Sequence, residues 1–152
     1  MKTFFSNLSL ICVAVLSMLI FTGCAGFQKD WKRAAETYPT PRPDILGRWQ
    51  GTWQSKSSGH TNSLRCLVTR GENDIYFAKF HAKYKKFFTW SFGYTVPLRV
   101  ERTNGVYQFD GEADLGKLAG GIYRYKGEAT AEKFFSTYDS KYDHGTFTMT
   151  RP

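Results

Sequence analysis

The sequence predicts an all-β domain: a small antiparallel up-and-down β-barrel of about eight or nine strands over residues 45–152. Three observations carry this. Apolar and polar residues alternate with a period of two from Ile45 onward, which gives each strand one inner and one outer face. Turn residues recur at short intervals, and no segment after Tyr38 has a helical period. Closing the sheet also removes exposed edges that invite aggregation, so a barrel is favoured over a sandwich.

The elements follow in order. Ile45, Gly47, Trp49, Gly51 and Trp53 share one face of the first strand, and Ser57, Ser58 and Gly59 turn the chain. Leu64, Cys66 and Val68 point inward on the next strand, with Arg65 and Thr69 outside, before a turn over 71–74. Tyr76, Ala78, Phe80, Ala82 and Tyr84 then alternate with Phe77, Lys79, His81, Lys83 and Lys85. Phe88, Trp90, Phe92 and Tyr94 form a fourth strand, with Gly93 as a kink.

Asn104-Gly105 marks a hairpin over 98–111, because both positions of such a turn must tolerate positive φ. Its register sets Val100 opposite Phe109 and Arg99 opposite Asp110, a cross-strand charge pair. Gly116, Gly120 and Gly121 make a looser turn. Tyr123 and Tyr125 face one way on the next strand, and Arg124 and Lys126 the other. Residues 133–139 form another strand. On the last, over 145–151, Phe147, Met149 and Arg151 face inward, while Thr146, Thr148 and Thr150 face out. Glycines 51, 93, 111 and 127 suit the sharp bends of a small barrel.

Residues 24–44 read as a tether. Phe27, Trp31, Ala34, Ala35 and Tyr38 recur at helical spacing, with Lys29, Lys32 and Arg33 elsewhere on the turn. Such an amphipathic helix either lies on a membrane surface or packs on its own domain. Pro39, Pro41 and Pro43 then predict an extended spacer.

Further upstream, a lone Lys2 precedes an apolar, uncharged run over 8–21, too short to span a bilayer comfortably. Residues 19–26 read LIFTGCAG, so the run ends in small residues at a cysteine. This resembles the export signal of bacterial lipoproteins, with Phe21 where leucine is usual. The resemblance implies that residues 1–23 are removed and that Cys24 carries lipid, palmitate among the acyl chains. The chemistry suits these residues: a thiolate attacks a lipid donor to leave a stable thioether, and small residues let an extended chain enter a peptidase cleft. Two or three acyl chains hold a protein on a membrane almost permanently. Ala25 follows, where aspartate would imply inner-membrane retention in the Gram-negative family, so the outer membrane is expected in a host that has one.

Loss of residues 1–23 removes only Lys2 among the charged residues, taking the formal net charge from +8 to +7. An exported, membrane-tied chain does not meet nucleic acid. Lipid headgroups, anionic glycans or acidic proteins fit such a charge, as does a merely soluble basic surface. Cys12 leaves with the signal and Cys24 is acylated, so Cys66 has no partner and is expected to be buried. Stability must then come from the core, which an aromatic content of 17% can supply.

The chemistry-bearing residues are few. His60, His81 and His144 lack metal-ligand spacing, although His60 and His144 can meet at one barrel end. Asp114, Asp139 and Asp143 lie in turns, which recruit aspartate for backbone reasons. Ser63 and Ser136 lack a nucleophile-elbow context, and no helix follows Gly120-Gly121 to make a phosphate loop. No enzyme, metal or cofactor is expected. Lys79, His81, Lys83 and Lys85 line up on one strand face, either as a site for anionic lipid or glycan or as a solvated face that blocks edge pairing. Trp49, Trp53, Phe80, Trp90, Tyr123 and Tyr125 face inward, lining an apolar cavity or filling a core.

Gly47-Arg48-Trp49 opens the first strand, and Arg151 ends the last. This resembles lipocalins and related calycin barrels, which pair a Gly-x-Trp motif with an arginine near the chain end. The family's Thr-Asp-Tyr motif is absent; Thr137-Tyr138-Asp139 has the letters in another order. The resemblance implies that Arg151 packs across Trp49 and closes one barrel mouth. The expected function is that of an envelope lipoprotein whose non-catalytic barrel binds a small apolar ligand or lipid. The alternative is a protein-binding or inhibitory module using a basic or aromatic outer surface, for which an acidic target would be needed.

Overall fold

The computed structural model describes residues 26–85 and 89–152, except the side chains of Lys85, Trp90 and Leu118. Cys24 lies outside the described residues. Eight strands close into an antiparallel up-and-down barrel. They are β1 (Gly47–Ser55), β2 (Thr61–Arg70), β3 (Ile75–Lys85), β4 (Thr89–Thr103), β5 (Val106–Asp114), β6 (Ile122–Ala129), β7 (Lys133–Asp139) and β8 (His144–Thr150). Closure comes from β1 against β8, with Gln50 opposite Thr150 and Ser55 opposite Gly145. An α-helix, α1, over residues 26–37, packs on the outside.

Inner and outer faces follow the period-two pattern. Trp49, Leu64, Cys66, Val68, Phe80, Phe109, Tyr125, Phe134, Phe147 and Met149 form one buried core. Burying each large apolar side chain contributes about 1.5 to 3 kcal/mol. Cys66 is a free, fully buried thiol, pushed well above its ordinary pKa by desolvation, and is therefore unreactive in the folded chain. Asn104 and Gly105 take positive φ, and the hairpin they make pairs Val100 with Phe109 and Arg99 with Asp110. Gly93 faces outward opposite His81 and is exposed, so it is not an interior glycine.

Two expected strands fuse into the 15-residue β4. Pro97 does not break it. It ends one side of its pairing: Leu98 to Thr103 pair with β5, whereas the first nine residues of β4 pair only with β3. The Pro97 carbonyl faces Gly111 of β5, so the N–H that proline lacks is missing from that same side. Proline sits where a strand becomes an edge, one of the few places in a sheet that tolerate it. The barrel is thus split between β4 and β5 toward one end.

Helix α1 packs on its own barrel, deciding between the two alternatives that its sequence leaves open. Phe27, Trp31 and Ala34 are buried against Leu67, with Tyr38 beside them. Leu67 is the outward apolar residue of β2, out of phase with its neighbours, and it receives the helix. Arg48 and Arg65 lie over the Trp31 ring, at 5.6 and 5.1 Å from its centroid. The proline-bearing segment after α1 does not act as a free spacer either. Arg42 grips Asp44 through two hydrogen bonds of 2.8 and 2.7 Å, and the Tyr107 hydroxyl donates to the Pro43 carbonyl at 3.4 Å.

Candidate functional site

The two barrel ends differ. One is plugged. The Arg151 guanidinium lies 3.8 Å from the centroid of the Trp49 ring. It donates to the carbonyls of Asp44 at 2.5 Å, Leu46 at 2.8 Å, Arg48 at 3.3 Å and Ala131 at 3.0 Å. Trp49 Nε1 donates to the Ile45 carbonyl at 2.9 Å, which fixes the indole across the opening. Burial pushes the Arg151 pKa down to about 10, so it remains charged at neutral pH.

The midsection is filled. The Phe80 ring meets Tyr94, Tyr125 and Phe147 at centroid distances of 5.4, 6.0 and 5.2 Å, and Tyr138 meets Phe147 at 5.0 Å. Trp49, Phe80 and Tyr125 are therefore core and plug, not cavity wall. An eight-stranded barrel is narrow enough for side chains to occupy its interior, and this many aromatic rings do so. Desolvation there raises the phenol pKa values of Tyr94 and Tyr125.

The other end is an open, aromatic mouth. Trp53, Tyr94 and Tyr123 belong to the inner face but are only partly buried against the core, and Tyr84 is likewise partly buried. Phe92, also in the inward phase of β4, is 48% exposed because it lies beside the β4–β5 split. Trp53 stacks on Tyr84 at 6.2 Å, and Phe92 on Tyr94 at 6.1 Å. The Trp53 indole donates to the Lys83 carbonyl at 3.3 Å, and the Tyr84 hydroxyl lies 3.2 Å from His60 Nε2. Of the cavity candidates, Trp53 and Tyr123 belong to this mouth. The Trp90 side chain lies outside the described residues.

Polar groups at the rim hold turns together. Asp143 accepts from the Ser55 hydroxyl at 2.6 Å and the Tyr138 hydroxyl at 2.8 Å. Its own backbone N–H takes the Ser140 hydroxyl as acceptor at 3.1 Å. Asp114 accepts the Gly116 N–H at 2.8 Å. His60 and His144 are both at this end, flanking the Ser55–Ser58 turn: the His60 carbonyl accepts from the Ser55 N–H at 2.9 Å, and the His144 carbonyl from the Lys56 N–H at 2.8 Å. Among the described residues, no group of three or more His, Cys, Asp or Glu is placed to hold a metal.

No family model, curated protein or solved structure matches this chain.

The lysine stripe is not an open anionic site. Lys79 is ion-paired with Asp30 of α1 at 2.6 Å, and that hydrogen bond holds the Asp30 carboxyl below its ordinary pKa. His81 is 4% exposed, with Phe27 stacked on its ring at 4.7 Å. Helix α1 covers this part of the strand face, which alternation alone does not foresee. Lys83 remains exposed, and the Lys85 side chain lies outside the described residues. Farther round the barrel, a groove of about 690 Å³ runs over the outside of β4–β7. Its charges alternate in sign, Arg99 with Asp110 and Arg124 with Glu112, so it offers no single-sign patch.

Helix docking is expected to depend on pH. Burial, then Lys83 and Arg65, lower the His81 pKa below its ordinary 6.5. The undocked chain therefore takes up the proton first. Docking is fully favoured above about pH 6.5 and weakens as pH falls through that value toward the lower folded pKa. Asp30 stays ionised in this window. Protection of residues 26–37 from hydrogen exchange, taken relative to the intrinsic rate at each pH, is expected to fall between about pH 7.5 and 5, and His81→Phe to flatten the dependence. A profile that His81→Phe leaves unchanged would assign the effect elsewhere.

Tyr84 and Phe92 are mouth residues that the sequence does not single out, whereas it does bring His60 to a barrel end together with His144. Two signals were available. Inner-phase aromatics cluster near the strand ends that share one rim, and Pro97 marks where β4 loses a neighbour.

Proposed function

We propose that this chain is an envelope lipoprotein, acylated at Cys24, whose non-catalytic barrel binds a small apolar or lipid-like molecule at its mouth. The observation that carries the reading is the exposure of inward-phase Phe92 beside the β4–β5 split, above a filled midsection. Ligand sites are mostly apolar, with a few placed polar groups. Here Trp53 and Phe92 supply the apolar wall, and the Tyr84 hydroxyl with His60 supplies the polar point. The non-catalytic reading is supported by Ser55, Tyr138 and Asp143, which satisfy one another. Ala25 supports the outer membrane in a Gram-negative host.

The test has two arms. Metabolic fatty-acid labelling should mark the chain and be lost in Cys24→Ser. Separately, the purified chain should take up the fluorescent apolar probe N-phenyl-1-naphthylamine. Phe92→Asp is expected to weaken uptake about tenfold, the equivalent of 1.4 kcal/mol. Phe135→Asp, on the outer face of β7, should leave it unchanged. Equal uptake by wild type and Phe92→Asp would refute the mouth as the site.

A further inference from the structure

The direction of α1 gives the anchored barrel an orientation. Phe27 stacks on His81, Asp30 pairs with Lys79, and Tyr38 lies against Gly47. β3 runs toward the mouth from residue 75 to 85, so α1 runs antiparallel to it, with its N-terminus toward the mouth. The rim, at Tyr84, is three residues beyond His81, or about 10 Å along a strand. Cys24 is three residues before Phe27, and three residues reach at most about 10 Å. The proline-bearing segment adds no slack, because it follows the docked helix and is itself packed at the plugged end.

Surface chemistry points the same way. Phe92, Ile122 and Tyr142 are 48%, 45% and 64% exposed, and all three lie at the mouth end. Exposed Lys56, Lys83 and Lys141 surround them, with the Lys141 ammonium 5.2 Å from the Tyr142 ring centroid. The nearby carboxylates are Glu112, Asp114, Asp139 and Asp143. Of these, Asp143 and Asp114 are engaged in turns, and Glu112 lies 3.8 Å from Arg124. At the plugged end Glu72, Asp74, Glu101 and Glu132 stand among Arg70, Arg102 and Lys133, with Arg70 paired to Asp74, so the cations there are matched by carboxylates, and the exposed apolar side chain beside them is Ile75 at 38%. Aromatic side chains with lysines beside them suit the interface of an anionic bilayer, with rings at headgroup depth and ammonium groups on phosphate.

We infer that the barrel sits mouth-down on the membrane, with Phe92, Ile122 and Tyr142 at the lipid interface and Lys56, Lys83 and Lys141 on anionic headgroups. The orientation rests on the acylation of Cys24 proposed above, whereas the interfacial collar does not. A ligand reaching the β4–β5 split would then arrive from the bilayer itself.

Hydrogen exchange on the chain extracted from its host tests this, comparing detergent micelles with vesicles of phosphatidylglycerol and phosphatidylethanolamine. Vesicles should slow exchange at least threefold in the mouth turns 55–60 and 140–143, and leave the plugged-end turns 71–74 and 103–106 unchanged. Equal slowing at both ends, or slowing at the plugged end alone, would overturn the orientation. The intact mass of the same sample reports acylation. An unacylated chain would sink the anchor reading. Selective slowing at the mouth of that chain would still support the collar, and its absence would overturn collar and orientation together.

Discussion

Arg151→Ala is expected to destabilise the barrel by about 3 to 5 kcal/mol, because it leaves several backbone carbonyls without a donor at about 1 to 3 kcal/mol each. Stacking on Trp49 alone would account for roughly 1 to 2 kcal/mol. The larger figure follows from the four carbonyls that the guanidinium serves, those of Asp44, Leu46, Arg48 and Ala131. They belong to the lead-in to β1, to β1 itself and to the β6–β7 turn, so a single side chain ties together three places in the chain. Alanine would leave these acceptors at a half-buried site with no donor. Arg151→Lys keeps the charge but not the planar fork, and should recover less than half of the loss. Urea unfolding measures both. A cost below about 1 kcal/mol for Arg151→Ala would mean that water or a relaxed backbone serves the carbonyls equally well.

Gly51→Val should be comparably damaging, for a different reason. Gly51 faces inward between Leu64 of β2 and Met149 of β8. A Cβ there would run into the Thr148 carbonyl oxygen and the Met149 Cα. Those are backbone atoms of the strand that closes the barrel, so they yield only if the β1–β8 pairing shifts. Overpacking a core costs about 1 to 3 kcal/mol when side chains can adjust. Here a cost of about 3 kcal/mol or more is expected, with the loss concentrated in the β1–β8 seam. Gly59→Ala is the control: it has positive φ but open space around it, and should cost only about 1 kcal/mol. Thermal unfolding of the pair separates close approach from backbone strain, and equal losses would refute the seam argument.

The strands were legible because each has one wet face and one dry face, which imprints a period of two. The Asn104-Gly105 turn was legible because few residue pairs accept its backbone. Contacts made by α1 were not. Leu67 and His81 sit in the outward phase, where alternation predicts solvent, and only a second layer packed outside the barrel buries them. The lysine stripe failed as a site for that reason. A strand's own pattern does not say what lies over its outer face. The filled midsection was also beyond the sequence, since inward aromatics read the same whether they line a void or fill it. What decides is whether rings from opposite strands meet, as Phe80, Tyr125 and Phe147 do. Pro97 was visible from the start, but its meaning depends on which neighbour its missing N–H would have faced.

The Arg151–Trp49 plug also sets an order of events in time. Its two members are about 100 residues apart, and closing so long a loop costs entropy before any contact repays it. β1 has no partner on its β8 side until residues 144–151 are present, so hairpins from β1 to β7 are expected to form first as an open, curling sheet that the last strand seals. Proteins dominated by distant pairings fold slowly. A barrel of this topology is expected to stay open until β8 pairs with β1 and to gain its sealed base in that late step.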